Sequence, residues 1–97
     1  MRKYQMYMDG KYVASASGKW FDSYNPYTGE PWAQIAQGNA EDADRAVRAA
    51  HKAFTEGPWP QLTPSQRGLL LHKLGDLVAR DARKLAETEV RDNGKLI

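Results

Sequence analysis

The sequence has no cysteine, and this absence removes several kinds of chemistry at once. Its 97 residues can form no disulfide framework, offer no thiolate metal ligand and supply no thiol nucleophile. Long hydrophobic runs are missing too, because no apolar stretch exceeds three residues. The sequence therefore predicts neither a cleaved signal peptide nor a membrane span, and we expect a cytoplasmic protein.

A face of one charge sign is also missing. The chain carries 14 Lys and Arg against 12 Asp and Glu, for a net charge of +2, and both signs are interspersed along it. The sequence pI near 9.0 raises the question of nucleic-acid binding. Mixed charges are more typical of solvated helix surfaces than of a phosphate-binding face, so we expect no nucleic-acid partner.

Local catalytic and cofactor motifs are absent as well. Eight glycines are present, yet none forms a Gly-x-Gly-x-x-Gly or Walker loop, and no serine lies in a Gly-x-Ser-x-Gly turn. The two histidines, His51 and His72, fall on different predicted helices, and Asp76 is placed to pair with His72. Structural histidines are therefore favoured over a metal site.

Strand and turn residues dominate positions 1–38. Residues 4–8 and 11–13 flank Asp9-Gly10, a pair that favours a type I′ hairpin turn. Residues 20–24 and 32–36 flank an Asn-Pro-Tyr-Thr-Gly-Glu turn and predict a second hairpin. The sequence thus indicates two hairpins before any helix.

Helical signals fill residues 39–97. Asn39 is the predicted N-cap of a first helix that ends at Gly57-Pro58. Thr63, followed by Pro64 and Gln66, predicts a second helix, and Asp81 is expected to cap a third that stops at Asn93-Gly94.

Each predicted helix has an apolar face. The first helix carries an apolar stripe of Ala43, Val47, Ala50 and Phe54. The second has a face that is expected to be buried, formed by Leu70, Leu71, Leu74, Leu77 and Val78. The third has two apolar positions, Leu85 and Val90. Trp20, Trp32 and Trp59 are expected to be packing anchors, with stacking platforms as the alternative. These faces require more covering surface than two short hairpins offer.

Several words of the sequence occur in the order and spacing of a known family. They are YMDGKYV at 7–13, ASGKWF at 16–21, NPYTGE at 25–30, EDADRAV at 41–47, Ala49-Ala50, Ala53-Phe54, Pro58-Trp59, Arg67-Gly68, Leu74 and DNGK at 92–95. Together they resemble the N-terminal segment of the NAD(P)-dependent aldehyde dehydrogenase superfamily. One departure is Leu96, where the family usually has proline.

The resemblance implies an α/β fragment in which two hairpins (1–38) and three helices (39–97) form the outer part of a cofactor-binding domain, without its Rossmann core. It implies that the complete enzyme oxidises an aldehyde to a carboxylic acid with NAD or NADP. The catalytic and cofactor-binding residues are then expected outside this segment, which would be structural, inactive and without cofactor by itself. The implied partners are the remainder of the chain, the aldehyde, and further copies in a dimer or tetramer, with no nucleic acid and no membrane.

A monovalent cation site is also implied by the resemblance. In this sequence its ligands would be the backbone carbonyls of Ser23 and Tyr24 and the side chain of Asp92. Sodium and potassium prefer oxygen donors, which these groups supply. The alternative is an exposed Asp92 that interacts only with water at the end of its helix.

A second hypothesis does not require a longer protein. The same hairpins and helices would then form a free-standing small α+β interaction module without enzymatic activity. A sharp, cooperative melt of a strict monomer would favour this module.

Overall fold

The computed structural model describes residues 1–97, with strands first and helices after them. The strands are β1 (Arg2–Tyr4), β2 (Met6–Met8), β3 (Lys11–Val13), β4 (Trp20–Tyr24) and β5 (Pro31–Ala36). The helices are α1 (Ala40–Glu56), α2 (Pro64–Arg80) and α3 (Ala82–Asn93), with a short 3₁₀ turn, Trp59–Gln61, between α1 and α2. This order confirms an α/β fragment of strands followed by three helices.

The larger sheet has three strands in the order β1-β5-β4. Strands β4 and β5 pair antiparallel, with Phe21 opposite Ile35, which confirms the second predicted hairpin. Strand β1 adds to the other edge of β5 in parallel, with Tyr4 opposite Ile35. The central strand supplies both buried apolar residues, Ala33 and Ala36.

The first hairpin is shorter than predicted. Strands β2 and β3 pair across a turn in which Asp9 and Gly10 have φ angles of 53° and 74°, as a type I′ turn requires. The prediction of one strand over 4–8 is wrong, because Tyr4 belongs to β1 in the other sheet and Gln5 separates the two strands. Local residue preferences carry no record of that parallel pairing with β5, which is distant in sequence.

Two helix starts match their predicted caps. The Asn39 side chain accepts a hydrogen bond from the backbone of Asp42, whose carboxylate accepts from the backbone of Asn39; Thr63 and Gln66 form the same reciprocal box before α2. At α3 the prediction of a side-chain cap is wrong. Asp81 occupies the N-cap position, but its carboxylate binds Arg80 at 3.1 and 2.9 Å instead.

The apolar face of α2 is exposed, contrary to the expectation that it is buried. Leu77 is 39% exposed and Leu74 56%, and Val47 and Phe54 on α1 are more exposed still. The Cα radius of gyration is 16.9 Å, whereas a compact domain of this length has about 13 Å. The helices thus extend beyond the small sheet and leave their apolar faces uncovered in this chain.

None of the helices has the length and apolar character that a membrane-spanning segment requires.

Candidate functional site

The last turn of α3 meets the β4–β5 hairpin at Asp92. The Ser23 hydroxyl on β4 donates a hydrogen bond to Asp92 Oδ1. The Trp32 indole N–H on β5 donates to the same oxygen at 3.3 Å. Two of the three residues predicted for the cation site, Ser23 and Asp92, are therefore in contact although 69 positions separate them in sequence.

Tyr24, the third predicted residue, lies at the irregular end of β4. The register with β5 shifts between Ser23 and Tyr24, and Tyr24 lies opposite Pro31. Proline has no N–H, so Pro31 cannot donate a ladder hydrogen bond to a carbonyl of β4. The Tyr24 side chain is 56% exposed and makes no hydrogen bond with Asp92. What Tyr24 can offer at this place is its backbone.

The cationic side chains nearest to Asp92 in sequence are engaged elsewhere. The Arg91 guanidinium lies over the Trp32 ring, 5.6 Å from its centroid, and the Lys95 ammonium pairs with Glu89 at 2.8 Å. No Lys, Arg or His lies within 4.0 Å of the Asp92 carboxylate oxygens. Asp92 is thus a carboxylate with two neutral donors and no ion-pair partner.

A cavity of about 340 Å³ opens beside Asp92, between β5 and α3. Its wall includes Tyr4, Trp32 and Leu85. The Tyr4 and Trp32 rings meet edge to face with centroids 6.0 Å apart, so two aromatic rings pack against each other in this wall. The lining of the cavity therefore combines acidic and apolar side chains.

A second acidic centre lies at the start of α1. Asp42 is only 3% exposed, and its carboxylate accepts hydrogen bonds from the backbone N–H groups of Ala16, at 3.0 and 3.2 Å, and Asn39, at 3.0 Å. The Arg45 guanidinium donates to it at 2.7 Å. The hydrogen bond from Arg45, followed by that from Asn39, lowers the pKa of Asp42 below its ordinary value. This carboxylate joins the loop after β3 to the helix.

The sequence indicated only part of this arrangement. Asp42 stands three residues after Asn39, which is the spacing of a capping box, but nothing in the sequence pointed to its contact with Ala16. The histidines remain at the surface. His72 Nδ1 lies 3.7 Å from the Asp76 carboxylate, as predicted, and no group of three or more acidic or histidine side chains is arranged to hold a metal.

Comparison with known proteins connects these features to one family. Residues 12–97 match the sequence model of the aldehyde dehydrogenase family. The chain is 46% identical over 93 residues to a putative aldehyde dehydrogenase, DhaS, of Bacillus subtilis, covering 96% of this chain and 19% of that protein. It is 46% identical over 97 residues, its whole length, to (Z)-2-((N-methylformamido)methylene)-5-hydroxybutyrolactone dehydrogenase of Acinetobacter baylyi, of which it covers 20%.

Solved structures agree with the sequence relatives. The fold superposes on the NAD-dependent aldehyde dehydrogenase of Sinorhizobium meliloti with a TM-score of 0.92 and 38% identity, over 98% of this chain and 19% of that one. The aldehyde dehydrogenase of Bacillus cereus in complex with NAD⁺ gives a TM-score of 0.89 and 37% identity, over 94% and 18% of the two chains. The chain spans about a fifth of the length of the relatives it matches, in their N-terminal part. The chain belongs to the aldehyde dehydrogenase family.

Proposed function

We propose that the complete protein containing this segment is an NAD(P)-dependent aldehyde dehydrogenase that oxidises an aldehyde to a carboxylic acid. The family match and the NAD-bound relative from Bacillus cereus support this activity. A thiolate that attacks the aldehyde carbonyl must come from outside residues 1–97, because this chain has no cysteine. The bound nicotinamide would accept the hydride.

Residues 1–97 themselves have a structural role in this proposal, as the N-terminal portion of the cofactor-binding domain. The observation that carries it is the exposed apolar face of α2, with Leu70 at 49%, Leu74 at 56% and Val78 at 49%. Apolar burial stabilises a protein by about 25 cal/mol for each Å² removed from water, so covering this face with the remainder of the chain is strongly favoured.

The test compares three proteins: residues 1–97 alone, the full-length protein, and the full-length protein without residues 1–97. We expect NADH or NADPH formation from aldehydes by the full-length protein only. Formation of reduced nicotinamide in proportion to a pure preparation of residues 1–97 would contradict the structural role. A full-length protein that is folded yet inactive with every aldehyde tried would contradict the proposed activity.

We also propose that Asp92 and the Ser23 and Tyr24 carbonyls hold a monovalent cation in the complete protein. Three observations support this site: the Asp92 carboxylate has no ion-pair partner, Ser23 lies against it, and Pro31 donates no hydrogen bond to the end of β4. A sodium or potassium ion there would neutralise the carboxylate and bind strand-end carbonyls, with its remaining ligands supplied from outside this segment.

The cation proposal is tested by melting the full-length protein and its Asp92→Asn variant across a sodium or potassium chloride series. The ionic strength is held constant with tetraethylammonium chloride, whose cation is too large for such a site. We expect the salt-specific rise in unfolding midpoint to disappear in Asp92→Asn. An equal rise of the unfolding midpoint in both proteins would contradict the cation site and support the alternative that Asp92 is an exposed carboxylate at the end of its helix.

The complete protein is further proposed to be a cytoplasmic homo-oligomer, a dimer or tetramer. The family resemblance supports assembly, and the location rests on the sequence prediction alone. Light scattering on the purified full-length protein tests the assembly, and a strict monomer would contradict it. Cell fractionation tests the location.

A further inference from the structure

Both hydrogen bonds to the Asp92 carboxylate end on one oxygen. Oδ1 accepts from the Ser23 hydroxyl and from the Trp32 indole N–H, while Oδ2 accepts no hydrogen bond from this chain. The donors come from adjacent strands, and Asp92 comes from α3, which lines a cavity together with Trp32 of β5. The carboxylate is therefore asymmetric, with one oxygen occupied and one available.

Of the two donors, the indole is the more firmly held. Trp32 is half-buried in the sheet, its ring meets Tyr4 edge to face at an interplanar angle of 65°, and Arg91 covers it. A tryptophan N–H can only donate, and its direction is set by the ring. The Ser23 hydroxyl, in contrast, rotates about its C–O bond and can either donate or accept. Trp32 therefore sets the orientation of the carboxylate, and Ser23 adapts to it.

We propose that Trp32 is a positioning residue for Asp92. Its indole N–H, together with the Ser23 hydroxyl, holds Oδ1 and leaves Oδ2 as the oxygen that a cation would bind. The consequence for a cation rests on the cation proposal above, whereas the orientation of the carboxylate by Trp32 does not. Groups that orient a ligand in this way commonly alter metal affinity when they are removed.

The experiment uses Trp32→Phe in the full-length protein. Phenylalanine keeps an aromatic ring between Tyr4 and Arg91 and removes the N–H donor. The matched control is Trp20→Phe, because Trp20 lies on β4 and also carries a cation over its ring, Lys3 at 5.1 Å, but makes no bond to Asp92. Unfolding midpoints are measured against sodium or potassium chloride at constant ionic strength.

For Trp32→Phe we expect the cation concentration at half-occupancy, fitted from the logarithmic rise of stability with cation concentration, to increase about tenfold. Trp20→Phe is expected to leave that concentration unchanged, even if it lowers the midpoint at every salt concentration. A Trp32→Phe protein with the same cation dependence as the wild type would overturn the proposal, because general damage to packing does not change a half-saturation concentration.

A wild-type protein without any cation response would contradict the cation site, and a double-mutant cycle then decides the role of Trp32. Trp32→Phe and Asp92→Asn are melted singly and together in tetraethylammonium chloride. Non-additive shifts of the midpoint would support the orientation of Asp92 by Trp32. Additive shifts would overturn it, so the failure of one proposal is distinguished from the failure of the other.

Discussion

The sheet region and the second helix of this chain differ in where their packing partners lie. Residues 1–42 contain all four buried residues, Ser15, Ala33, Ala36 and Asp42, and these are tied together by strand pairing and by the contact of Asp42 with Ala16. Helix α2 has no buried residue over its 17 positions. One region thus finds its partners within the chain, and the other does not.

The difference shows that good local signals do not by themselves supply packing. Helix α2 has a full capping box and proline at its first position, and these features favour a helix without any tertiary contact. Its leucines nonetheless lie at the surface of this chain. Most helical stability in proteins comes from burial of an apolar face, so we expect α2 to pack on a surface outside residues 1–97.

The largest expected effect is the difference between the cost of a core substitution on α2 in the complete protein and its cost in residues 1–97 alone. Leu74→Ala is expected to cost about 2–5 kcal/mol in the full-length protein, because it removes a side chain from a covered interface. In the isolated chain the same change is expected to stay within about 0.5 kcal/mol, because Leu74 is already exposed. Chemical denaturation of both proteins measures the two values.

The control for that comparison is Lys73→Ala on the same helix. It removes an exposed polar side chain and is expected to change neither protein by more than about 0.5 kcal/mol. If Leu74→Ala lowered the free energy of unfolding equally in the two proteins, the idea that α2 finds its packing partners outside residues 1–97 would be wrong.

The next largest effect concerns Asp42, which holds the sheet region to α1. Asp42→Ala is expected to lower the unfolding midpoint clearly, since it leaves the Ala16 and Asn39 N–H groups without their acceptor. Asp44→Asn is the control, because Asp44 makes only an exposed pair with Arg48 at 2.9 Å. Similar midpoints for the two variants would show that the buried carboxylate is dispensable.

Asp42 also gives the stability of this region a defined pH dependence. Its pKa in the folded chain is lowered, chiefly by Arg45, so the folded state favours the ionised carboxylate. The stability it contributes is present above the unfolded pKa of about 3.9 and is lost as the pH falls through the lower folded value. Midpoints measured across this range should fall less steeply with acid in Asp42→Asn than in the wild type.

A smaller effect is expected at the end of α3. Gly94 has a φ angle of 76°, and a Cβ added there would lie 3.1 Å from the Cβ of Pro26. Gly94→Ala is therefore expected to cost roughly 1–2 kcal/mol from left-handed strain. Gly75→Ala, within α2 and with open space around it, is expected to stabilise the isolated chain by roughly 0.5–1 kcal/mol. If both substitutions changed the free energy of unfolding in the same direction, left-handed strain at Gly94 would not explain its effect.

The smallest effects distinguish real caps from apparent ones. Asn39→Ala is expected to cost about 1 kcal/mol, because the Asn39 side chain accepts from the Asp42 N–H at 3.2 Å. Asp81→Ala is expected to have a smaller effect, because the Asp81 carboxylate binds Arg80 and accepts no hydrogen bond from the first turn of α3. A larger loss for Asp81→Ala than for Asn39→Ala, measured by thermal melting, would reverse that ranking.

Sequence reasoning succeeded where the signal was local. The Asp9-Gly10 turn, the capping boxes at Asn39 and Thr63 and the stop at Asn93-Gly94 are each encoded within a few residues, and the structure confirms them. It failed at β1, whose partner β5 lies about thirty positions further along the chain. It also failed at Asp81, because a neighbouring arginine competed for the carboxylate.

The same distinction between local signals and contacts of distant residues applies to the candidate site. Ser23, Tyr24 and Asp92 came from family resemblance, and the structure places Ser23 and Asp92 in contact; cation binding itself stays a prediction. Trp32 was expected to pack, with a stacking platform as the alternative. Its bond to Asp92 joins residues 60 positions apart, and no pattern within one segment of sequence encodes such a contact.

Hydrogen exchange distinguishes α2 from the sheet region most clearly, because it reports protection segment by segment in one experiment. Amide exchange would be followed by mass spectrometry in the isolated chain and in the full-length protein. We expect that α2, Pro64–Arg80, exchanges rapidly in the isolated chain and becomes strongly protected in the full-length protein, with a much smaller gain for the β4–β5 hairpin. Equal protection of α2 in the two proteins would contradict the claim that its partner surface lies outside residues 1–97.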